Sequence, residues 1–252
     1  MPTDPVPPAA PFAWQTCLDL GDQAADRYQD FVNAPLLDMV QPTPARVLEL
    51  GCATGMFGQA LKQRFPAASV VGIEQGRAAA ALAATRLDRV ICGRLEDLDL
   101  AAEGLRPGEF DALVAADVLE HVVNPWDVLV RVKPLLAPNA QVLASIPNVR
   151  NAMLLDALVS QGRWEYGPRG LLDITHLRFF TLFEIRRMFE ETGYRVEGYG
   201  ATISPGLTEL YRANKDSGPV NIEVGRFRIA NLSHAEFNEL CTEQFLVRAR
   251  PV

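Results

Sequence analysis

Between Val47 and Leu61 the chain has no lysine or arginine, although an apolar run there gives way to a glycine-bearing turn. That absence matters, because phosphate-binding turns of this shape rely on a lysine, as in G-K-[ST], or on the glycine spacing G-x-G-x-x-G. Neither pattern is present: the three glycine positions of the second are filled by Gly51, Ala53 and Met56. A nucleoside pyrophosphate or triphosphate would meet the carboxylate of Glu49 instead of a cation. Cysteine is scarce and scattered, at 17, 52, 92 and 241, with no C-x-x-C pair. A disulfide framework and a structural zinc site are thereby excluded, and a reduced, cytoplasmic protein is expected. No apolar run approaches the ~20 residues of a membrane span. A net charge of −7 argues against generic binding to a nucleic-acid backbone. Met1 to Pro11 holds five prolines and no basic-then-apolar pattern, so a flexible tail is expected there and not a signal peptide.

What is present is a rhythm. Strand-like and helix-like segments alternate through 46–146, with strands expected at 46–50, 69–74, 89–93, 110–116 and 140–146. Helices fall between them at 56–65, 78–87 and 125–136, the last with Asn124 as N-cap and Pro125 in first position. Strands and helices at this spacing imply parallel crossovers within one α/β domain over 12–252. Residues 147–180 break the rhythm with one helix near 151–160 and an irregular stretch. Thr181 and Glu184 have the spacing of a capping box that opens a further helix. A sixth strand is expected at 194–199 and a last one at 241–248, separated by a polar insertion over 201–240. Residues 12–42 read as a helical segment preceding the sheet.

The turn Glu49-Leu50-Gly51-Cys52-Ala53-Thr54-Gly55 suits a cationic ligand at a helix N-terminus. It resembles motif I of the class I S-adenosylmethionine-dependent methyltransferases. That resemblance implies a Rossmann-like, seven-stranded, mostly parallel sheet with helices on both faces and the last strand inserted antiparallel. Insertions at 147–180 and 201–240, after strands five and six, are expected to form a cap. It also implies S-adenosyl-L-methionine as cofactor, with Glu49, Gly51, Ala53 and Gly55 at the turn. Glu74, ending the second strand, has the place of the carboxylate that binds a ribose diol, with Gln75 beside it. After the third strand, where related enzymes often carry Gly-Asp, this chain has Gly93-Arg94; the adenine contact then passes to Glu96, Asp97 or the backbone near Leu95.

The second signal is Asp117-Val118-Leu119-Glu120-His121, followed by Asn124-Pro125. Asp117, Glu120 and His121 would share one face if the stretch were helical, and could then orient a base or hold a divalent ion. Small-RNA and quinone O-methyltransferases resemble this pattern and use it with metal, but here no residue is assigned as a metal ligand. Asp117 is counted with the cofactor site. The third signal is Ser145-Ile146-Pro147-Asn148, with Asp173-Ile174-Thr175-His176-Leu177-Arg178 further on. It resembles a subgroup associated with saccharide synthesis.

Of the three histidines, His121 and His176 fall in these segments, whereas His234 lies in the insertion. The expected reaction is methyl transfer to a hydroxyl of a small-molecule acceptor, with His176 as general base and His121 organising the site. A sugar hydroxyl is the leading acceptor by resemblance. A phenolic or quinone-like acceptor, and a non-catalytic cofactor-binding subunit, are the alternatives. Trp164, Tyr166, Tyr199 and Tyr211 are candidate acceptor-lining aromatics. Oligomeric state is left open.

Overall fold

The structure, a computed structural model, describes residues 31–252. The expected tail at 1–11 and most of the N-terminal helical segment lie outside the described residues. Of that segment a short helix, α1 (Ala34–Asp38), is described, capped by Asn33, whose side chain accepts the Leu36 N–H.

The first half of the sheet follows the expected alternation: β1 (Arg46–Leu50), α2 (Met56–Arg64), β2 (Ser69–Glu74), α3 (Arg77–Ala83), β3 (Arg89–Cys92) and β4 (Phe110–Ala116). Then come α4 (Pro125–Val132), β5 (Leu136–Pro147), α5 (Ala152–Gln161), α6 (Leu182–Glu191) and β6 (Tyr194–Ile203). The cap supplies α7 (Thr208–Asn214), a hairpin of β7 (Val220–Val224) and β8 (Phe227–Leu232), and α8 (His234–Cys241), before β9 (Thr242–Pro251).

Seven strands form one sheet in the order β3-β2-β1-β4-β5-β9-β6. β1 pairs in parallel with both β2 and β4, whereas β9 runs antiparallel between β5 and β6. The start of β1 is fixed by Asp111, whose carboxylate accepts the N–H groups of Ala45 and Arg46. The strand order reverses at β1, with β2 and β3 added on one side and β4 and β5 on the other, and open α/β sheets bind ligands at the carboxyl ends of the strands at such a point.

Burial on both faces explains why these strands read as nearly continuous apolar runs. Leu48 and Leu50 point to the face covered by α4 and α6, through Leu129, Val132, Ile185, Met188 and Phe189. Val47 points to the opposite face, covered by α1 and α2 through Leu36, Phe57 and Leu61.

Three departures from the expected elements have physical causes. The helix expected over 125–136 stops at Val132 and tightens into a 3₁₀ turn over Lys133–Leu135. Pro134 has no N–H to continue the α-helical ladder, and β5 consequently begins early, at Leu136. Thr181 does cap α6, but the reciprocal capping box occurs at Ser233 and Glu236 of α8. The insertion over 201–240, expected to be polar, builds a third apolar core from Leu207, Val220, Ile222, Leu232, Phe237 and Leu240, closed by Ala152 of α5. Its apolar residues are diluted among polar ones and meet only after the hairpin and α8 fold together. Among the described residues no helix is long and apolar enough to cross a membrane.

Candidate active site

The turn after β1 is wound through three left-handed residues, Gly51 (φ +56°), Ala53 (φ +48°) and Gly55 (φ +80°). Gly51 is required twice over: its φ disfavours other residues, and a Cβ there would lie 2.6 Å from Val118 Cγ2. That close approach seats the turn directly against the segment leaving β4. Gly55 is the N-cap of α2 and offers no side chain to its first N–H groups, which leaves the helix N-terminus ready for an anionic or polar ligand group. Ala53 carries strain for a non-glycine residue, and its N–H donates to Glu74 Oε2 at 2.9 Å.

Glu74 stands at the end of β2, buried, with its second oxygen accepting the Gly76 N–H at 2.7 Å. Gln75 follows it and is exposed.

Glu49 is buried as well, and its Oε2 has no hydrogen-bond partner. Burial pushes its carboxyl up to about 8, a Gly58 N–H bond opposes this, and the nearby Glu74 adds to the rise. An orphaned buried carboxyl beside a second carboxylate is a site that gains from a cation. The ammonium and the ribose of S-adenosylmethionine fit this pair, and a polyphosphate does not.

In the loop after β3, Leu95 is buried, and its carbonyl and that of Glu96 accept hydrogen bonds from Arg131. Arg94 turns toward Glu96 and Asp97 at 3.9 and 3.5 Å. Glu96 also accepts the Val123 N–H, so the loop after β3 is tied to the loop after β4.

Asp117 leaves β4 with φ +56°. Its N–H donates to Ser145, to the carbonyl at 3.3 Å and to Oγ at 3.0 Å, and its Oδ1 accepts from Gln244 Nε2 at 2.6 Å. Burial raises its carboxyl to about 6 against the lowering effect of Ser145, Asn33 and Gln244.

The expected shared helical face of Asp117, Glu120 and His121 does not form, because residues 117–123 are a succession of turns. A different trio comes together: Glu120, His121 and, from 55 residues further on, His176, whose ligand atoms all lie within 4.8 Å of one another. The two segments are stitched by the Glu120 carbonyl, which accepts the N–H groups of Leu177 and Arg178 at 2.8 and 3.0 Å.

The imidazole tautomers follow from their partners. Thr175 Oγ1 donates to Asp173 at 2.6 Å, so toward His121 Nδ1 at 3.0 Å it can only accept; the Thr175 carbonyl lies 3.2 Å from the same nitrogen. His176 Nδ1 likewise donates to the Leu171 carbonyl at 3.1 Å. The Nε2 atoms of His121 and His176 lie 4.0 and 3.9 Å from Glu120 Oε1. Both oxygens of Glu120 are buried without a hydrogen bond, and burial, with Asp117 nearby, holds its carboxyl well above the usual range. Burial lowers both histidines, His121 to about 4 with His176 adding to the effect.

Two neutral imidazoles with backbone-fixed rings and one orphaned carboxyl are a fitting donor set for a divalent cation. The sequence assigned no metal ligand, and the structure offers this one candidate site among the described residues. Exposure also separates the two histidines: the His121 side chain is 27% exposed and that of His176 only 5%.

Phe179 extends the cluster outward, with its ring 6.3 Å from His176, 5.4 Å from Trp164 and 6.5 Å from Tyr166. Of the four candidate aromatics, then, Trp164 and Tyr166 reach the cluster only through Phe179. Tyr211 instead stacks on Phe237 within the cap core, and Tyr199 lies on β6 near Arg186. Sequence reasoning passed over Phe179 and Gln244 as site residues. Phe179 stood within a noted segment, but nothing in the sequence could bring Gln244 to Asp117, 127 positions away.

A sequence profile of the methyltransferase-domain family matches residues 21–198. The ubiquinone biosynthesis O-methyltransferase of Pseudomonas aeruginosa (strain LESB58) is 33% identical over 178 residues, which is 68% of this chain and 73% of that protein. The enzyme of the same name from Thiobacillus denitrificans is 32% identical over 179 residues, 68% and 74% of the two chains. Among solved structures, a S-adenosylmethionine-dependent methyltransferase from Thermotoga maritima shares the fold with a TM-score of 0.57 at 15% identity, over 90% of this chain and 92% of that one.

Proposed function

The chain belongs to the class I S-adenosylmethionine-dependent methyltransferase family, and from that premise we propose that it methylates a hydroxyl of a planar phenolic or quinone-like acceptor. The observation that carries this reading is the Glu120–His121–His176 cluster with Phe179 and Trp164 along its edge. Flat aromatic faces beside a deprotonating group suit a phenol ring. The saccharide acceptor expected from the sequence finds no support in the relatives, whose names point to quinone-ring methylation.

Bound to the protein, S-adenosyl-L-methionine supplies an electrophilic methyl group. Glu74 would accept from the ribose diol, Glu49 and Asp117 would pair with the ammonium, and the N-terminus of α2 would hold a polar group of the molecule. Gly51, Ala53 and Gly55 would allow the backbone its close approach, and the Leu95 segment would hold the adenine. Across the crevice, His121 presents the more exposed ring to the acceptor, while His176 stands behind it. This exchanges the roles expected from the sequence. A divalent ion held by Glu120, His121 and His176 would lower the pKa of an acceptor hydroxyl.

The test is a reaction of the purified protein with S-adenosylmethionine and a panel of catechols, monophenols and hexoses, read by mass spectrometry. The expected product is a methyl ether of a phenol, formed less in chelator and restored by added magnesium, manganese or zinc. Methylation of hexoses with phenols untouched would overturn the acceptor assignment. Full activity in protein shown by elemental analysis to be metal-free would leave His121 acting alone as base.

A further inference from the structure

We propose that Gln244 is a positioning residue for the cofactor site, one that fixes the Asp117 carboxylate beside the glycine turn without cancelling its charge. The inference rests on the cofactor site proposed above. It starts from the one strand that runs the wrong way. Because β9 is antiparallel to β5 and β6, its N-terminal end lies at the carboxyl edge of the parallel strands, with Gln244 in register with Pro147 and Thr202. From there its amide nitrogen donates to Asp117 Oδ1 at 2.6 Å.

The backbone of Asp117 is already pinned by the bonds of its N–H to Ser145 and by its left-handed φ. Its neighbour Val118 touches the turn at Gly51. The carboxylate also meets the side chains of Ser145 and Asn33, and Gln244, at 2.6 Å, is the donor that reaches it from the inserted strand. The chemistry of the donor matters as much as its place. A lysine or arginine at 244 would hold the carboxylate equally well but would neutralise it. A carboxamide is a neutral donor, so the charge offered to a cationic ligand is retained. Burial and then the Asp117 charge raise the Glu120 carboxyl, and Gln244 adds no charge to that pair.

Gln244 is in turn held by the joint between cap and sheet. Asn148 Nδ2 donates to the carbonyls of Glu239 and Thr242 at 2.7 and 3.0 Å, Asn151 Nδ2 donates to the Thr242 carbonyl at 2.9 Å, and the Asn148 N–H donates to the Glu243 carbonyl at 2.8 Å. All these acceptors lie within five residues of Gln244 and bind two asparagines that directly follow β5. The end of β9 is therefore a rigid mount, and a side chain on it can set the direction of Asp117 reproducibly.

The experiment compares wild type with Gln244→Met, which keeps length but has no donor, and Gln244→Lys, which keeps a donor but cancels the charge. Calorimetry with S-adenosylhomocysteine, melting temperature and steady-state kinetics are measured for each. Both variants should raise the Kd and the KM for S-adenosylmethionine roughly tenfold, the scale of one lost charged hydrogen bond, with kcat and the acceptor KM within about twofold. Wild-type affinity in either folded variant overturns the proposal. So does a lower melting temperature with both KM values shifted equally, since that marks a structural contact. If Gln244→Met does not fold, Gln244→Lys alone decides. Failure of the wild-type protein to bind S-adenosylhomocysteine would be a different result: it would remove the cofactor assignment itself.

Discussion

Glu49→Gln should make the ligand-free protein more stable at neutral pH while weakening its hold on the cofactor. Glu49 is buried with an orphaned oxygen, and its carboxyl is raised from 4.5 to about 8 by burial, then by Glu74. Between those two values the folded state holds a proton that the unfolded chain has released. Unfolding then releases a proton, so stability is fully present below the unfolded value and falls as pH rises toward the folded one. The slope approaches 1.36 kcal/mol per pH unit, and integration from pH 5 to pH 7 with both pKa values gives a loss of about 2.5 kcal/mol. Glutamine keeps the shape and cannot titrate, so the variant escapes this loss. Asp117 and Glu120 are also raised, but they are common to both proteins and cancel in the difference. Urea unfolding of both proteins at pH 5, 6 and 7 measures it directly. The gap in favour of Glu49→Gln should widen by about 2.5 kcal/mol, or about 5–10 °C in melting temperature for a chain of this size. Parallel stability profiles across that range would refute the reasoning and mean that Glu49 is ionised in the folded state at neutral pH.

Two further outcomes follow from other parts of the structure. Glu74→Ala removes the proposed ribose acceptor, and S-adenosylhomocysteine affinity should drop by roughly tenfold to a hundredfold, the range of about 1.5–3 kcal/mol for a charged hydrogen bond; unchanged calorimetric titrations would contradict the role. Phe237, fully buried in the cap core and stacked on Tyr211, should cost about 3–5 kcal/mol when cut to alanine. Hydrogen exchange should show the loss confined to the cap over 201–241, with β1 and β4 as protected as before, and uniform loss across the sheet would count against an independent cap core.

The sequence by itself determined the sheet and the glycine turn. β1, β2 and β4 are largely apolar because both their faces are buried, and a carboxylate stands at or beside the carboxyl end of each: Glu49 one residue before the end of β1, Glu74 at the end of β2 and Asp117 just after β4. Local order and crossover geometry then suffice to bring those three carboxylates to one crevice. That the turn carries no cation of its own was equally legible, since it needs only the residues between Val47 and Leu61, whereas Arg86, which donates to the Thr54 carbonyl at 2.6 Å, arrives from 32 positions on.

What tertiary structure alone decided is everything that depends on distant segments meeting. The 117–123 stretch has helical spacing yet turns away from a helix, because Glu120 gives its carbonyl to Leu177 and Arg178 and not to a residue four positions on. His176 thereby joins Glu120 and His121 in a cation-ready cluster that a helical reading would have built from Asp117. The insertion over 201–240 hides its apolar core because hairpin and helix contribute only a few residues each. Gln244 reaches Asp117 because β9 inserts antiparallel between β5 and β6. Strand periodicity fixes which face a residue takes, but it carries no information about which strand lies beside it, and that choice placed β9, and Gln244 with it, at the edge of the site.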